Sequence, residues 1–214
     1  MRFSGKVVLV TGTSGGIGQA IAHKLRDQDA IVITTDRENA VICGNLMDQT
    51  FCDILPAEIV KTYGKLDILV NNAGIITRGK ITEASDEDFA HTMAINLEAP
   101  FRLCRAAIGI MANAGGGAIV NTASCWGLHP GPDHPIYVMS KAAIASLTQC
   151  LGRDHAHQNI RANAVCPNEV NTSMLRTGFA FRGFDPDQAV EELNASVPLG
   201  RIAEPEDIAD VARF

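Results

Sequence analysis

The chain has 214 residues, 46% of them hydrophobic and 20% charged, which suits one globular domain with a sizeable core and excludes a disordered polymer. A net charge of -6 with scattered Lys and Arg excludes a dedicated nucleic-acid or anionic-membrane surface. The apolar run at 7–10 is too short for a signal peptide or a membrane span, so a cytoplasmic protein is expected.

VVLVTG at 7–12 reads as a buried strand, and TGTSGGIG at 11–18 follows it into the helical stretch GIGQAIAHKLRDQ. Gly12 allows a tight turn, Gly16 lets backbone approach a pyrophosphate, and Gly18 permits close packing of helix on strand. The helix N-terminus offers unpaired N–H donors and a positive dipole end. Because residue 15 is also glycine, two glycine spacings fit and the turn selects no subfamily. AIVITTD at 30–36 is the second strand; it ends in Asp36, placed to accept from a ribose 2′-hydroxyl and repel a 2′-phosphate. Arg37 is the counterweight, able to stack on adenine or clamp a phosphate. NAD is expected over NADP.

RENA at 37–40 is too short for a helix and leads to a third strand, AVICGNL at 40–46. A helix at 54–64, a strand at 66–74, one long helix at 85–111, a strand at 117–124, a helix at 135–158 and a strand at 160–167 follow. Six strands apolar on both faces, alternating with helices, predict right-handed βαβ units. The fold expected is a Rossmann-type, doubly wound α/β sheet in a single dinucleotide-binding catalytic domain over 1–214. Such sheets bind ligands outside the carboxyl ends of their strands, where the glycine turn, Asp36, the NNAG at 71–74 and Ser124 all fall.

Tyr137 and Lys141 lie four positions apart, on one face of a helix. A free phenol, with a pKa of about 10, is a poor base at neutral pH. A cation one turn away stabilises the phenolate and is expected to lower that pKa. Asp133 and Pro135 place the helix start just before Tyr137, so the dipole acts in the same direction. Ser124 ends a buried strand and is positioned to hydrogen-bond a substrate oxygen. Asn96 falls at the spacing of Phe89 and Met93, on a face that should be apolar, where a buried amide needs partners. The six cysteines show no paired spacing and read as reduced packing residues. His155 and His157 point to different sides of a helix, so no metal site is expected.

TGTSGGIG, NNAG, Asn96, Ser124 and Tyr137-x-x-x-Lys141, in this order, resemble the classical short-chain dehydrogenase/reductase family over Gly5 to Phe214. The resemblance implies an NAD(P)-dependent oxidoreductase moving hydride between a secondary alcohol and the nicotinamide, with Tyr137 as general acid/base. Lys141 would tune it and touch the nicotinamide ribose, Ser124 would hold the substrate oxygen, and Asn96 would hold a water leading to a proton relay. Implied cofactor contacts are Gly12, Ser14, Gly16, Ile17, Gly18, Asp36, Asn72, Ala73 and Gly74, with Val170 and Thr172 at the carboxamide. Asn45 and Leu46 would flank the adenine, Asn45 replacing the usual Asp and accepting from the adenine amine through its amide oxygen. Asn168 stands where the family has Gly; since Asn tolerates a positive φ, the turn is expected to survive.

Ser124, Trp126, Tyr137 and Met174 are the expected substrate contacts, beneath an aromatic-rich lid at about 173–196. Trp126, His129 and His134 favour a polyol, sugar or hydroxy acid, and Arg176 and Arg182 leave an acidic substrate open. Neither nucleic acid nor membrane is an expected partner, and the full-length form should be a homotetramer or homodimer. Family members continue past the final helix with a seventh strand, which this chain is expected to lack. The alternative is a catalytically silent NAD-binding sensor on the same fold, which would have no need of a tuned phenol.

Overall fold

The computed structural model describes residues 1–213. Its strands are β1 (Val7–Thr11), β2 (Ile31–Asp36), β3 (Ile42–Cys43), β4 (Ile68–Asn71), β5 (Gly117–Thr122) and β6 (Ile160–Val165). They form one parallel sheet in the order β3-β2-β1-β4-β5-β6. Strand order reverses between β1 and β4, which opens a crevice at their carboxyl ends. The helices are α1 (Gly16–Arg26), α2 (Gln49–Tyr63), α3 (Asp86–Met93), α4 (Ala99–Asn113), α5 (Pro135–His155), α6 (Ser173–Phe181), α7 (Pro186–Ser196) and α8 (Pro205–Ala212).

Alternate strand residues face opposite sides of the sheet, so each face gathers its own core. Val7, Leu9, Ile33, Leu69 and Ile119 join α2 and α4 on one side. Val8, Val10, Val32 and Val70 join α1 and Ala209 of α8 on the other. Burying each such Leu or Ile contributes about 1.5–3 kcal/mol, and Leu9, Ile33, Leu69 and Ile119 are essentially solvent-free. No helix among the described residues is long and apolar enough to cross a membrane.

Three expected elements differ. The third strand shrinks from 40–46 to two residues because side chains of β2 replace part of the ladder: Thr34 Oγ1 accepts the Val41 N–H and Thr35 Oγ1 donates to the Ile42 carbonyl. Helix α2 begins before residue 54, because the Asp48 carboxylate caps the N–H groups of Thr50 and Phe51 at 2.9 and 3.2 Å. The long helix at 85–111 is interrupted by a π-helical turn, Ala94–Glu98, closed by Ala99 N–H on the Ala94 carbonyl. Pro100 has no N–H to donate to the carbonyl of Asn96, four residues back, which is compatible with a widened turn here. The cysteines are all free, as expected, but Cys43 and Cys150 are exposed rather than packed. Burial pushes the Cys52 and Cys104 thiols up to about 11 and about 12.

Candidate active site

Gly12 leaves β1 with φ 71°, and a Cβ there would lie 2.6 Å from the Cα of Ala73. The glycine therefore serves both a left-handed turn and the close approach of the NNAG segment. A Cβ on Gly18 would lie 2.1 Å from the Gly12 carbonyl, so α1 packs where only glycine fits. The N-terminus of α1 has no side-chain cap and no acid in its first turn, whereas Asp48, Ser85, Thr172 and Asp185 cap α2, α3, α6 and α7. Its first N–H groups have no intrahelical acceptor and suit a diphosphate.

At the end of β2, Asp36 accepts the N–H of Ser14 at 2.9 Å and of Arg37 at 2.8 Å. Burial works against its charge, but these bonds outweigh it and hold the carboxyl below its usual range. Lone pairs remain for a ribose diol, so uncapped helix and acid together fit an adenosine diphosphate group. Asn45 is exposed just past the end of β3. Its Oδ1 closes a turn on the Met47 N–H at 3.0 Å, and Leu46 packs toward the core.

Asn72 acts as a strap. Its Nδ2 donates to the carbonyls of Thr11 and Gly12 at 3.2 and 3.0 Å, and Thr11 Oγ1 accepts the N–H groups of both Asn72 and Ala73. Its side chain is thereby committed to the β1 terminus, and the segment offers a cleft its backbone. Asn71 turns inward to Asn121, which continues to Thr148 on α5. A Cβ on Gly74 would lie 3.3 Å from Lys141 Nζ and 3.4 Å from Asn96 Oδ1, bringing the NNAG turn against both.

Asn96 is 1% exposed, but it does not share a face with Phe89 and Met93. Phe89 is exposed, Thr92 is the buried residue of α3 and hydrogen-bonds Thr77, and the π-turn resets the phase before Asn96. Protein groups take three of the amide's four hydrogen-bonding positions: Oδ1 accepts from Ile75 N–H, and Nδ2 donates to the Ile75 carbonyl and to Ser140 Oγ.

Pro135 occupies the first turn of α5, and Tyr137 follows two residues later. One turn on, Lys141 is 5% exposed, its Nζ donating to the Thr122 carbonyl at 2.7 Å and lying 5.8 Å from the Tyr137 ring centroid. Burial pulls its ammonium down to about 8. Tyr137 departs from expectation: burial raises the phenol above its ordinary range, and a hydrogen bond with Ser124 offsets only part of this. Ser124 Oγ also accepts the Trp126 N–H at 3.2 Å. Trp126 sits edge-on to Tyr137 at 6.4 Å and tilted on His134 at 4.7 Å.

Residues 166–172 cross the rim toward α6. Val170 is buried and bridges to Ala203, while Thr172 caps α6 and its Cγ2 would meet a Cβ on Gly16 at 3.3 Å. Asn168 does not take the positive φ expected; its Oδ1 instead accepts from the Cys125 thiol at 2.9 Å. Met174 is 40% exposed at the start of α6. Three further positions support the cluster: Thr11, the carbonyl of Thr122, and Ser140. The first two are strand-terminal threonines beside motif residues, a signal available in the sequence; Ser140 carries none.

The chain matches the family model described as short chain dehydrogenase over residues 6–182, and it belongs to that family of oxidoreductases, which use NAD(P). It is 36% identical to an uncharacterized oxidoreductase of Thermotoga maritima, in an alignment covering 100% of this chain and 91% of that one. It is 34% identical to the 3alpha-hydroxysteroid dehydrogenase of Mediterraneibacter gnavus, covering 100% and 90%. Among solved structures, ligand-free aldohexose dehydrogenase from Thermoplasma acidophilum superposes with a TM-score of 0.95 at 30% identity, covering 100% of this chain and 87% of that one.

Proposed function

We propose that the protein is an NAD-dependent alcohol dehydrogenase/ketone reductase acting on a secondary alcohol, whether polyol, sugar or hydroxy acid. One juxtaposition carries this reading: the Tyr137 phenol in the first turn of α5, the buried Lys141 ammonium one turn on, and the Ser124 hydroxyl against the phenol. Nicotinamide dinucleotide, when bound, supplies the hydride acceptor or donor. In ketone reduction Tyr137 gives its proton to the carbonyl oxygen and becomes phenolate. Ser124 donates to that oxygen as charge builds on it, and the Lys141 cation stabilises the phenolate. Oxidation reverses the transfer, with the phenolate taking the hydroxyl proton. Burial keeps Tyr137 a phenol at neutral pH, the form that reduction needs.

Support for NAD over NADP comes from Asp36 and from the first turn of α1, which holds no basic residue. The relatives named hydroxysteroid and aldohexose dehydrogenases support a hydroxyl-bearing substrate. Trp126 and Met174 are the proposed substrate contacts under a lid formed by α6 and α7. A homodimer or homotetramer and a cytoplasmic location belong to the same proposal. The test is NADH formation over a panel of polyols, sugars and hydroxy acids, with Tyr137→Phe alongside. Turnover that vanishes in the variant supports the reading. NAD binding without turnover of any alcohol or ketone, in either direction, defeats it.

A further inference from the structure

Two arginines meet at Gly178 with no carboxylate between them. Arg78, on the segment that leaves the NNAG turn, donates from Nη2 to the Met174 carbonyl at 3.2 Å. A Cβ on Gly178 would lie 2.5 Å from the same nitrogen, so the guanidinium rests on bare helix backbone. Arg182, at the end of α6, folds back so that its Nε donates to the Gly178 carbonyl at 3.1 Å. Its guanidinium carbon lies 5.0 Å from the Phe179 ring centroid and 5.7 Å from that of Phe184. Among the described residues, no carboxylate lies within ion-pair distance of either guanidinium. The other arginine of the lid is neutralised, Arg176 pairing with Asp187 at 2.6 Å.

Burial and the charge of Arg182 both pull the Arg78 pKa down. A bound anion would relieve the mutual repulsion and restore part of the lost solvation. The planar fork of a guanidinium matches a carboxylate or a phosphate. Arg78 is partly buried, and beside it a monoanion is less costly to desolvate than a phosphate dianion.

Short chain connections tether Arg78 to the side of the site that holds the reacting groups. Gly74 lies against Lys141, and the four-residue step from Gly74 to Arg78 spans at most about 15 Å of chain. Gly79 N–H donates to the Asp133 carbonyl at 2.8 Å, in the turn that leads into Tyr137. We infer that Arg78 and Arg182 clamp a substrate carboxylate, so that the enzyme takes hydroxy acids whose carboxylate is remote from the carbinol carbon. This rests on the dehydrogenase reading and narrows its substrate class.

The test is calorimetric titration of the NADH-saturated protein, in which the alcohols cannot be oxidised, with 3-hydroxybutanoate, 5-hydroxyhexanoate and 7-hydroxyoctanoate, each against its methyl ester, with kcat and KM measured with NAD for the same pairs. For at least one length the acid should bind ten or more times tighter than the ester, and added salt should weaken that preference. Arg182→Gln should bring the ratio to within about twofold of one, and Arg182→Lys should keep part of it. Lys61→Gln, an equal charge change on exposed α2, should leave the ratio as in the wild type. Arg78→Gln removes a partly buried guanidinium and its bond to the Met174 carbonyl, so Arg182, which is exposed, carries the decision. Equal binding of acid and ester at every length, or equal loss of both in Arg182→Gln, overturns the clamp. Tighter binding of glycerol 3-phosphate than of any acid overturns the carboxylate assignment. Turnover of neutral alcohols without acid preference removes the clamp alone; acid-selective binding without turnover of any alcohol removes the dehydrogenase reading alone.

Discussion

Asn96 grips Ile75 as a neighbouring strand would: its Oδ1 accepts the Ile75 N–H at 2.8 Å and its Nδ2 donates to the Ile75 carbonyl at 2.9 Å. The same Nδ2 donates to Ser140 Oγ at 3.0 Å, and Ser140 in turn donates to the Tyr137 carbonyl at 2.7 Å. One amide thus ties the exit of the NNAG turn to the helix that carries the phenol. Asn96→Ala would leave both backbone groups of Ile75 without their partner, at a cost of about 2 kcal/mol. Urea denaturation should show that loss, with a fall in kcat. A variant as stable as the wild type would mean that the amide is not a clamp.

Lys141 should trade stability for chemistry. Its folded pKa of about 8 lies below the unfolded value of about 10.4. Between those values the unfolded chain binds more protons, so stability rises with pH across that window. Below it, burying the charge costs on the order of 3 kcal/mol. Lys141→Met should therefore be about 1–2 kcal/mol more stable at pH 7, after allowing for the lost bond to Thr122, while losing most turnover. Thermal melts at pH 7 and pH 10 check this: the advantage should shrink at the higher pH, and a variant less stable at pH 7 contradicts it.

The raised phenol pKa gives the two directions opposite pH profiles. Ketone reduction needs the protonated phenol and should hold through neutral pH, falling only in the alkaline range. Alcohol oxidation needs phenolate and should climb as pH rises. Tyr137→Phe should reduce both by about 10²–10⁴-fold. Initial rates from pH 6 to 10 decide; reduction already declining between pH 6 and 7 would place the phenol below its ordinary range instead.

Asp36 should set the choice of dinucleotide. Asp36→Ser removes the charge that repels a 2′-phosphate and leaves Arg37 beside the site, so preference should move toward NADP by tenfold or more. Fluorescence titration of NADH and NADPH against both proteins measures the shift. A wild type that already binds NADPH as tightly as NADH would show that the carboxylate does not discriminate.

The rim of the site was legible because the residues that break each apolar run mark strand ends, and strand ends in a parallel sheet share one edge. Tyr137 and Lys141 were legible as a pair because four residues make one helical turn. Less was legible where two local forces compete. At β3 the threonine hydroxyls of its neighbour took over bonds that an apolar run would have given to the ladder. At Tyr137 burial outweighed the hydrogen bond with Ser124. At Asn96 the periodicity failed because the turn widens, although Pro100 was a readable warning. Arg78 carried no mark, since its partners come from a distant helix.

The π-helical turn at Ala94–Glu98 makes the placement of Asn96 a matter of rotation. Removing one residue from it would let α3 and α4 close into a single α-helix, and everything before the deletion would swing by about 100° about the axis relative to everything after it. Asn96 could then be turned away from Ile75 while α4 kept its packing on α2 and the sheet kept its core. A lineage could therefore abolish the clamp by losing one codon, without substituting the asparagine. The converse also holds: one inserted codon in an ordinary surface helix could create such a grip, with no change to any strand.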